Sequence, residues 1–244
     1  MGNSPAHRFA LLRTPQPWGL LVALVGLVGV TADAGAECAS SGLVPRVLTP
    51  ASTVVPGDGG IVVAAITERS GKLDPGDAAV QPGWRLRVGS DTIKPPIATI
   101  APGLAVYRVA VANAYDAKLE DDHHAVIVTV KPARRGGDAL AAPAIKRIWF
   151  AEQQSRHGGS SVTVELAGDA PTGVVALVLA DAKGTPRSWT VAGGTTLSPF
   201  SSPDCAALPN GTIPSKAGDK VTLFWLGADG RVSPATKPLV IEAK

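Results

Sequence analysis

The chain has 244 residues, 45% of them hydrophobic, and its 23 Lys and Arg stand against 20 Asp and Glu for a formal charge of +3. So even a balance argues against nucleic acid as the main partner, because neutralising phosphates requires Lys and Arg clustered on one face. Ala, Gly, Pro and Val dominate and Leu-rich helical stretches are missing, which points to a β protein of bacterial composition.

The first segment is an address. His7, Arg8 and Arg13 precede the uncharged run Trp18 to Val30, and the small residues Ala32, Ala34, Gly35 and Ala36 follow it. Basic, apolar and small residues in that order make a secretory signal peptide over residues 1–36, with cleavage after Ala34 or after Ala36. An uncleaved anchor is the rival, since the run from Thr14 to Ala32 approaches the roughly 20 residues that span a bilayer. Pro15, Pro17 and the glycines within the run oppose one long helix. Cys38 stands close behind, but charged Glu37 occupies the place where a lipidated cysteine needs a small neighbour. Removing residues 1–36 takes Arg8, Arg13 and Asp33 from the totals, leaving 21 basic and 19 acidic side chains. The processed chain is therefore expected to be secreted or periplasmic, with no membrane association after cleavage.

Two cysteines, Cys38 and Cys205, survive cleavage. An even count in an exported chain favours a disulfide, worth about 5 kcal/mol at most for so long a loop. Two unpaired thiols, or one intermolecular bond, form the alternative.

Along the rest of the chain the signals are those of short strands. Leu43 to Pro50, bracketed by prolines, reads as an edge strand. After the turn-rich Pro56-Gly-Asp-Gly-Gly60 comes the apolar run Ile61 to Ile66, a buried strand. Trp84, Leu86 and Val88 alternate with Arg85 and Arg87, one apolar and one charged face. Pro95-Pro96 forces an irregular or edge segment, and Leu104 to Val111 resumes a strand. A loop with Glu120, Asp121 and Asp122 leads to a last strand with Val126, Val128 and Val130 on one face. Lys131 to Pro143 has no periodicity and reads as a linker. The second half repeats the grammar with Ile145 to Phe150, then Val162, Val164 and Leu166 in alternation, then Val174 to Ala180. A turn at Ala182-Lys183-Gly184 leads to Arg187 to Val191, and an irregular Ser-, Pro- and Gly-rich stretch carries Cys205. Val221 to Leu226 turns at Asp229-Gly230 into Arg231 to Ile241, a hairpin whose last strand Pro234 and Pro238 break.

Six or seven short strands per hundred residues, twice over, is the pattern of two tandem immunoglobulin-like sandwiches. The expected division is 1–36 signal peptide, 37–132 first domain, 133–143 linker and 144–244 second domain. A single jelly-roll-like sandwich across both halves is the competing layout, favoured if Lys131 to Pro143 is packed.

The segment Ile100-Ala-Pro-Gly-Leu-Ala-Val-Tyr107-Arg-Val-Ala-Val-Ala-Asn113 resembles the part of fibronectin type III domains where a Pro-Gly turn precedes a tyrosine-bearing strand, with Tyr107 one residue further along. Val221 to Pro234 similarly resembles the closing hairpin of bacterial immunoglobulin-like repeats. The resemblance implies that Tyr107 acts as a corner tyrosine whose hydroxyl bonds back to the nearby backbone. Such sandwiches host many functions, so it implies nothing about activity.

Asp121, Asp122, His123 and His124 form the densest set of metal-ligating side chains, of the kinds zinc and copper take. Neighbours on an extended strand point to opposite faces, so a solvated loop is the expectation and no cofactor is assigned. His157 lies in Ser155-Arg-His-Gly-Gly-Ser160-Ser161, yet no Gly-x-Ser-x-Gly elbow exists for a serine hydrolase. Trp84, Trp149, Trp189 and Trp225 each fall on an expected strand, where core packing accounts for them. No phosphate loop, dinucleotide fingerprint or calcium loop is present. The expectation is a non-enzymatic exported protein that binds or scaffolds at the cell envelope or outside the cell, its partner a protein or an envelope polysaccharide. A metal-binding or enzymatic periplasmic protein with a site near His123 and His124, and a structural spacer, are the alternatives.

Overall fold

The computed structural model describes residues 43–69, 72–75, 83–109, 115–134, 138–152, 160–202 and 215–244. The expected signal peptide, Cys38, Cys205 and His157 lie outside the described residues. Every regular element among the described residues is a β-strand.

Strands of the first half build two sheets. Sheet I has the order β1 (Leu43–Val47), β3 (Gly60–Arg69), β8 (Leu104–Arg108), β7 (Ile97–Ala101), with β4 (Lys72–Pro75) also paired to β3. Sheet II has the order β2 (Val54–Pro56), β10 (Val126–Ala133), β9 (Ala117–Glu120), β5 (Arg85–Val88), β6 (Asp91–Ile93). The second half builds sheet III, in the order β15 (Thr196–Ser202), β12 (Ser160–Leu166), β11 (Ile145–Glu152), β18 (Glu242–Ala243). It also builds sheet IV, in the order β14 (Pro186–Val191), β13 (Val174–Asp181), β16 (Lys220–Gly227), β17 (Leu239–Val240). Pairing is antiparallel except for β2 with β10 and β11 with β18. Among the described residues, no strand of one half pairs with a strand of the other.

Side-chain alternation decides how the sheets stack. In sheet II the apolar side chains of β5 and β9 point one way, Leu86, Val88, Ala117 and Leu119, and pack on Ile61, Val63 and Tyr107 of sheet I. The Tyr107 ring lies 5.7 Å from that of Trp84 in this core. In the second half Val162, Val164 and Leu166 of sheet III pack on Leu177, Leu179, Leu223 and Trp225 of sheet IV. A third apolar layer joins the halves: Val62, Ala64, Leu104 and Val106 from the back of sheet I meet Ala176, Val178, Trp189 and Leu226 from the back of sheet IV. The layers therefore run II, I, IV, III, and the described residues all belong to one compact unit.

This stacking explains two kinds of strand in one sequence. Among the described residues sheets II and III are covered on one face only, so β5 and β12 alternate buried and half-exposed residues. Sheets I and IV are covered on both faces, so Ile61 to Ala65, Leu104 to Tyr107 and Ala176 to Ala180 are buried without a break. Each fully buried Leu, Ile or Val contributes about 1.5–3 kcal/mol relative to exposure, so water cannot easily reclaim the middle layer.

Backbone contacts pin the same junction. Trp189 Nε1 donates to the Pro102 carbonyl at 2.9 Å, Thr49 Oγ1 donates to the Ala228 carbonyl at 2.7 Å, and Gly60 N donates to the Asp229 carbonyl at 2.7 Å. Thr49 Oγ1 also accepts from Val62 N at 2.8 Å, so this buried hydroxyl uses both its capacities. The hairpin turn at Asp229-Gly230 thus docks on Gly59 and Gly60. A Cβ on Gly59 would stand 2.4 Å from the Asp229 carbonyl oxygen, so the turn fits because these residues have no side chain.

Several local expectations need correction. Glu120 ends a strand, β9, and does not sit in a loop, because Ala117 and Leu119 have enough burial to pull the charged Ala-Lys-Leu-Glu stretch into sheet II. Val126 does not share a face with Val128 and Val130: a register irregularity between Val126 and Val128 turns Val126 outward opposite Glu120, and it is 47% exposed. Strand β10 runs on through Pro132 to Ala133, where β2 pairs alongside it. Thr196–Ser202 in the supposedly irregular stretch is a strand, β15, against β12. Trp149 is only half-buried, with the Arg147 guanidinium 5.5 Å and the Lys244 ammonium 5.8 Å from its ring centroid.

Candidate functional site

The Asp121 to His124 cluster is a tight turn between β9 and β10. Asp121 Oδ1 accepts from His123 N at 2.9 Å and from Ala125 N at 2.8 Å, which commits that oxygen to the backbone. His124 N donates to the Asp121 carbonyl at 3.1 Å, and His124 takes a φ of 63°. Asp122 and His123 are exposed, with His123 Nε2 3.7 Å from Asp122 Oδ1. Among the described residues, no three His, Cys, Asp or Glu side chains gather to hold a metal ion.

The same turn recurs between β13 and β14. Asp181 Oδ1 accepts from Lys183 N and Thr185 N, both at 2.9 Å, and Gly184, at a φ of 81°, stands where the first turn has His124. The N–H of Thr185 and then the Arg187 guanidinium, 2.6 Å from Asp181 Oδ2, hold this carboxyl below its ordinary pKa. The acidic turn of the first half is thereby explained as backbone architecture shared with the second.

A stronger candidate lies on the open face of sheet II. Strand register sets Arg87 of β5 directly opposite Lys118 of β9, with Thr92 of β6 and Thr129 of β10 completing the same cross-strand row. In the next row Arg85, Glu120 and Val126 are opposite one another. Glu120 Oε1 pairs with Arg87 Nε at 2.6 Å, and its side chain is only 4% exposed. Arg85 turns back to donate to the Trp84 carbonyl at 3.1 Å. Among the described residues Lys118 makes no ion pair.

Beside this row is a shallow groove of about 410 Å³ lined by Arg87, Gly89, Tyr115, Asp116 and Lys118. Gly89 turns the chain at a φ of 60°, and a Cβ there would meet the Tyr115 ring at 3.6 Å. Tyr115 rests on that glycine with 65% of its surface in water. The groove therefore offers two cations, one carboxylate and an open aromatic face, a set suited to orienting a polar ligand.

Arg87 was legible in the sequence as an outward-facing charge. Lys118 was not, because β9 reads as a loop when its two apolar residues are weighed against its charges, and Tyr115 and Asp116 were not, because they precede β9 outside any strand. A second hollow of about 460 Å³ lies at the junction of the halves, among Asp58, Arg108, Leu140, Arg231, Val232 and Pro234. There Arg108 donates to the Asp58 carbonyl in the turn before β3, and Arg231 Nε donates to Asp229 Oδ2 at 2.7 Å within the docked hairpin. No protein-family model and no curated protein matches the chain.

Proposed function

We propose that the chain is an exported bacterial binding protein, without enzymatic activity, made of two immunoglobulin-like or fibronectin type III-like sandwiches. It acts at the cell envelope or outside the cell. Strand order supports the fold half of this reading. Sheets I and II of the first half correspond to strands A-B-E-D facing A′-G-F-C-C′. In the second half β15-β12-β11 corresponds to E-B-A and β14-β13-β16-β17 to C′-C-F-G. On this order Tyr107 falls on strand E, whereas the corner tyrosine of such domains sits near the start of F. Its ring is buried against Trp84 in the core of the first half.

The observation that carries the binding role is the open face of sheet II. There side chains that favour a polar ligand gather around a groove, while the other side of the first half is committed to the junction. The test is expression of the whole chain in a bacterial host, followed by fractionation and N-terminal sequencing. The reading expects protein outside the cytoplasm beginning at Gly35 or Glu37. It also expects no turnover on a broad panel of ester, peptide and glycoside substrates. Uncleaved protein confined to the cytoplasm, or turnover abolished by substitution in the chain, overturns it.

A further inference from the structure

We infer that the groove over Arg87 and Lys118 is a subsite for an acidic sugar, the uronic-acid unit of a polysaccharide. This deepens the binding reading above and depends on it. The argument starts from a local cost. Like charges set directly opposite on neighbouring strands are destabilising, and Arg87 and Lys118 are in register across the β5–β9 pair. Glu120 relieves only one of them. Its carboxylate engages Arg87 Nε, which fixes that guanidinium, while Lys118 is left without an acidic partner among the described residues. Any opposite charge placed between the two cations is drawn to both.

The remaining groups narrow the chemistry of that charge. Asp116 shares the groove, so inorganic polyphosphate, whose anionic groups follow one another with no neutral group between them, meets repulsion there, whereas the carboxylates of a uronate stand a whole sugar ring apart. A uronic-acid unit carries one carboxylate and several hydroxyls. The carboxylate suits Arg87 and Lys118, and the hydroxyls suit Asp116 and the flanking threonines. Its C–H face suits the exposed Tyr115 ring, which is braced by Gly89 and loses little freedom on contact.

The experiment is isothermal titration of the exported protein with trigalacturonate, trimannuronate and a hyaluronan hexasaccharide. Neutral galactotriose, inorganic polyphosphate and tetraglutamate serve as contrasts. At least one uronate should bind ten times or more tighter than galactotriose, polyphosphate and tetraglutamate. Lys118→Ala and Tyr115→Ala should each weaken it at least tenfold, and Lys118→Arg should hold it within threefold. The melting temperature of Lys118→Ala should be equal to or above that of the parent, which separates lost binding from lost folding. Failure of all three uronates to bind, equal binding of galactotriose, tighter binding of polyphosphate or tetraglutamate, or unchanged binding in both alanine variants overturns the inference. Release of new reducing ends from a bound uronate would instead defeat the non-enzymatic reading and leave the subsite standing.

Discussion

The indole Nε1 of Trp189 donates to the carbonyl of Pro102 at 2.9 Å, across 87 residues of sequence and from one half of the chain to the other. Around that bond Trp189 is 3% exposed and packs in the apolar layer between sheets I and IV. A tryptophan expected in a domain core therefore serves as the bolt between two cores.

Trp189→Ala should destabilise the protein by about 3–5 kcal/mol through the cavity it leaves. Trp189→Phe keeps most of the volume and leaves the Pro102 carbonyl unpaired, at a cost of about 1–3 kcal/mol. Urea titration followed by circular dichroism should give a single transition for the parent, with the halves melting separately in the alanine variant. A parent that already unfolds in two steps would show that the layer does not couple them.

Gly230 and Gly184 both take a positive φ, 78° and 81°, but only Gly230 is hemmed in. A Cβ on Gly230 would stand 2.7 Å from Val106 Cγ1 and 2.8 Å from the Gly60 backbone, whereas nothing lies within 4 Å of one on Gly184. Gly184→Ala should cost about 1–2 kcal/mol from backbone conformation alone. Gly230→Ala should cost about 1–3 kcal/mol more from the clash. Equal losses in the two variants would remove the docked turn from the account of stability.

His124 holds the left-handed position that Gly184 holds in the sister turn. Relief of that conformation, less the greater chain entropy of glycine, gives an expected gain of about 0.5–1 kcal/mol for His124→Gly. Thermal denaturation reads it directly, and a fall in melting temperature would mean that the imidazole makes a contact worth more than the strain.

Lys118→Glu should raise stability by roughly 0.2–1 kcal/mol, since it turns a like-charged cross-strand pair into an opposite-charged one with Arg87. The gain should shrink in high salt because the site is open to water. Chemical denaturation at low and high ionic strength measures both effects. A salt-independent loss would contradict the charge conflict on which the binding face is argued.

Asp181 titrates below its ordinary range in the folded chain, so the folded state holds its carboxylate more firmly than the unfolded state does. Its contribution is complete above the unfolded value of about 3.9 and is lost as pH falls toward and through the lowered one. Asp181→Asn should therefore reduce stability at neutral pH and flatten its decline below about pH 4. Melting curves of parent and variant at pH 7 and pH 3 should converge at the acid end.

What was readable in advance follows from short-range chemistry. Alternation at Arg85–Val88 and Ser160–Leu166 gave away the half-buried strands, and Asp-Gly at 229–230 gave away the hairpin. Pro95-Pro96 marked a crossing, since β6 and β7 on either side are edge strands of different sheets. The misses have a common cause. β9 and β15 become strands through the partners they pair with, β5 for one and β12 for the other, and the irregularity at Val126 is set by its pairing with Glu120 across the turn, so periodicity along a single stretch reports none of them.

The amino-acid order alone determined that this chain is built of strands, because period-two alternation, β-branched runs and turn residues act over a few positions. It also determined which runs were apolar on both sides, without saying what lay beyond them. Only the folded chain decided that the backs of sheets I and IV cover each other, that Trp189 and Gly230 serve that contact, and that Arg87 faces Lys118. Those relations depend on register and on which layers meet, and both are set by the sum of many distant contacts, not by any one stretch of residues.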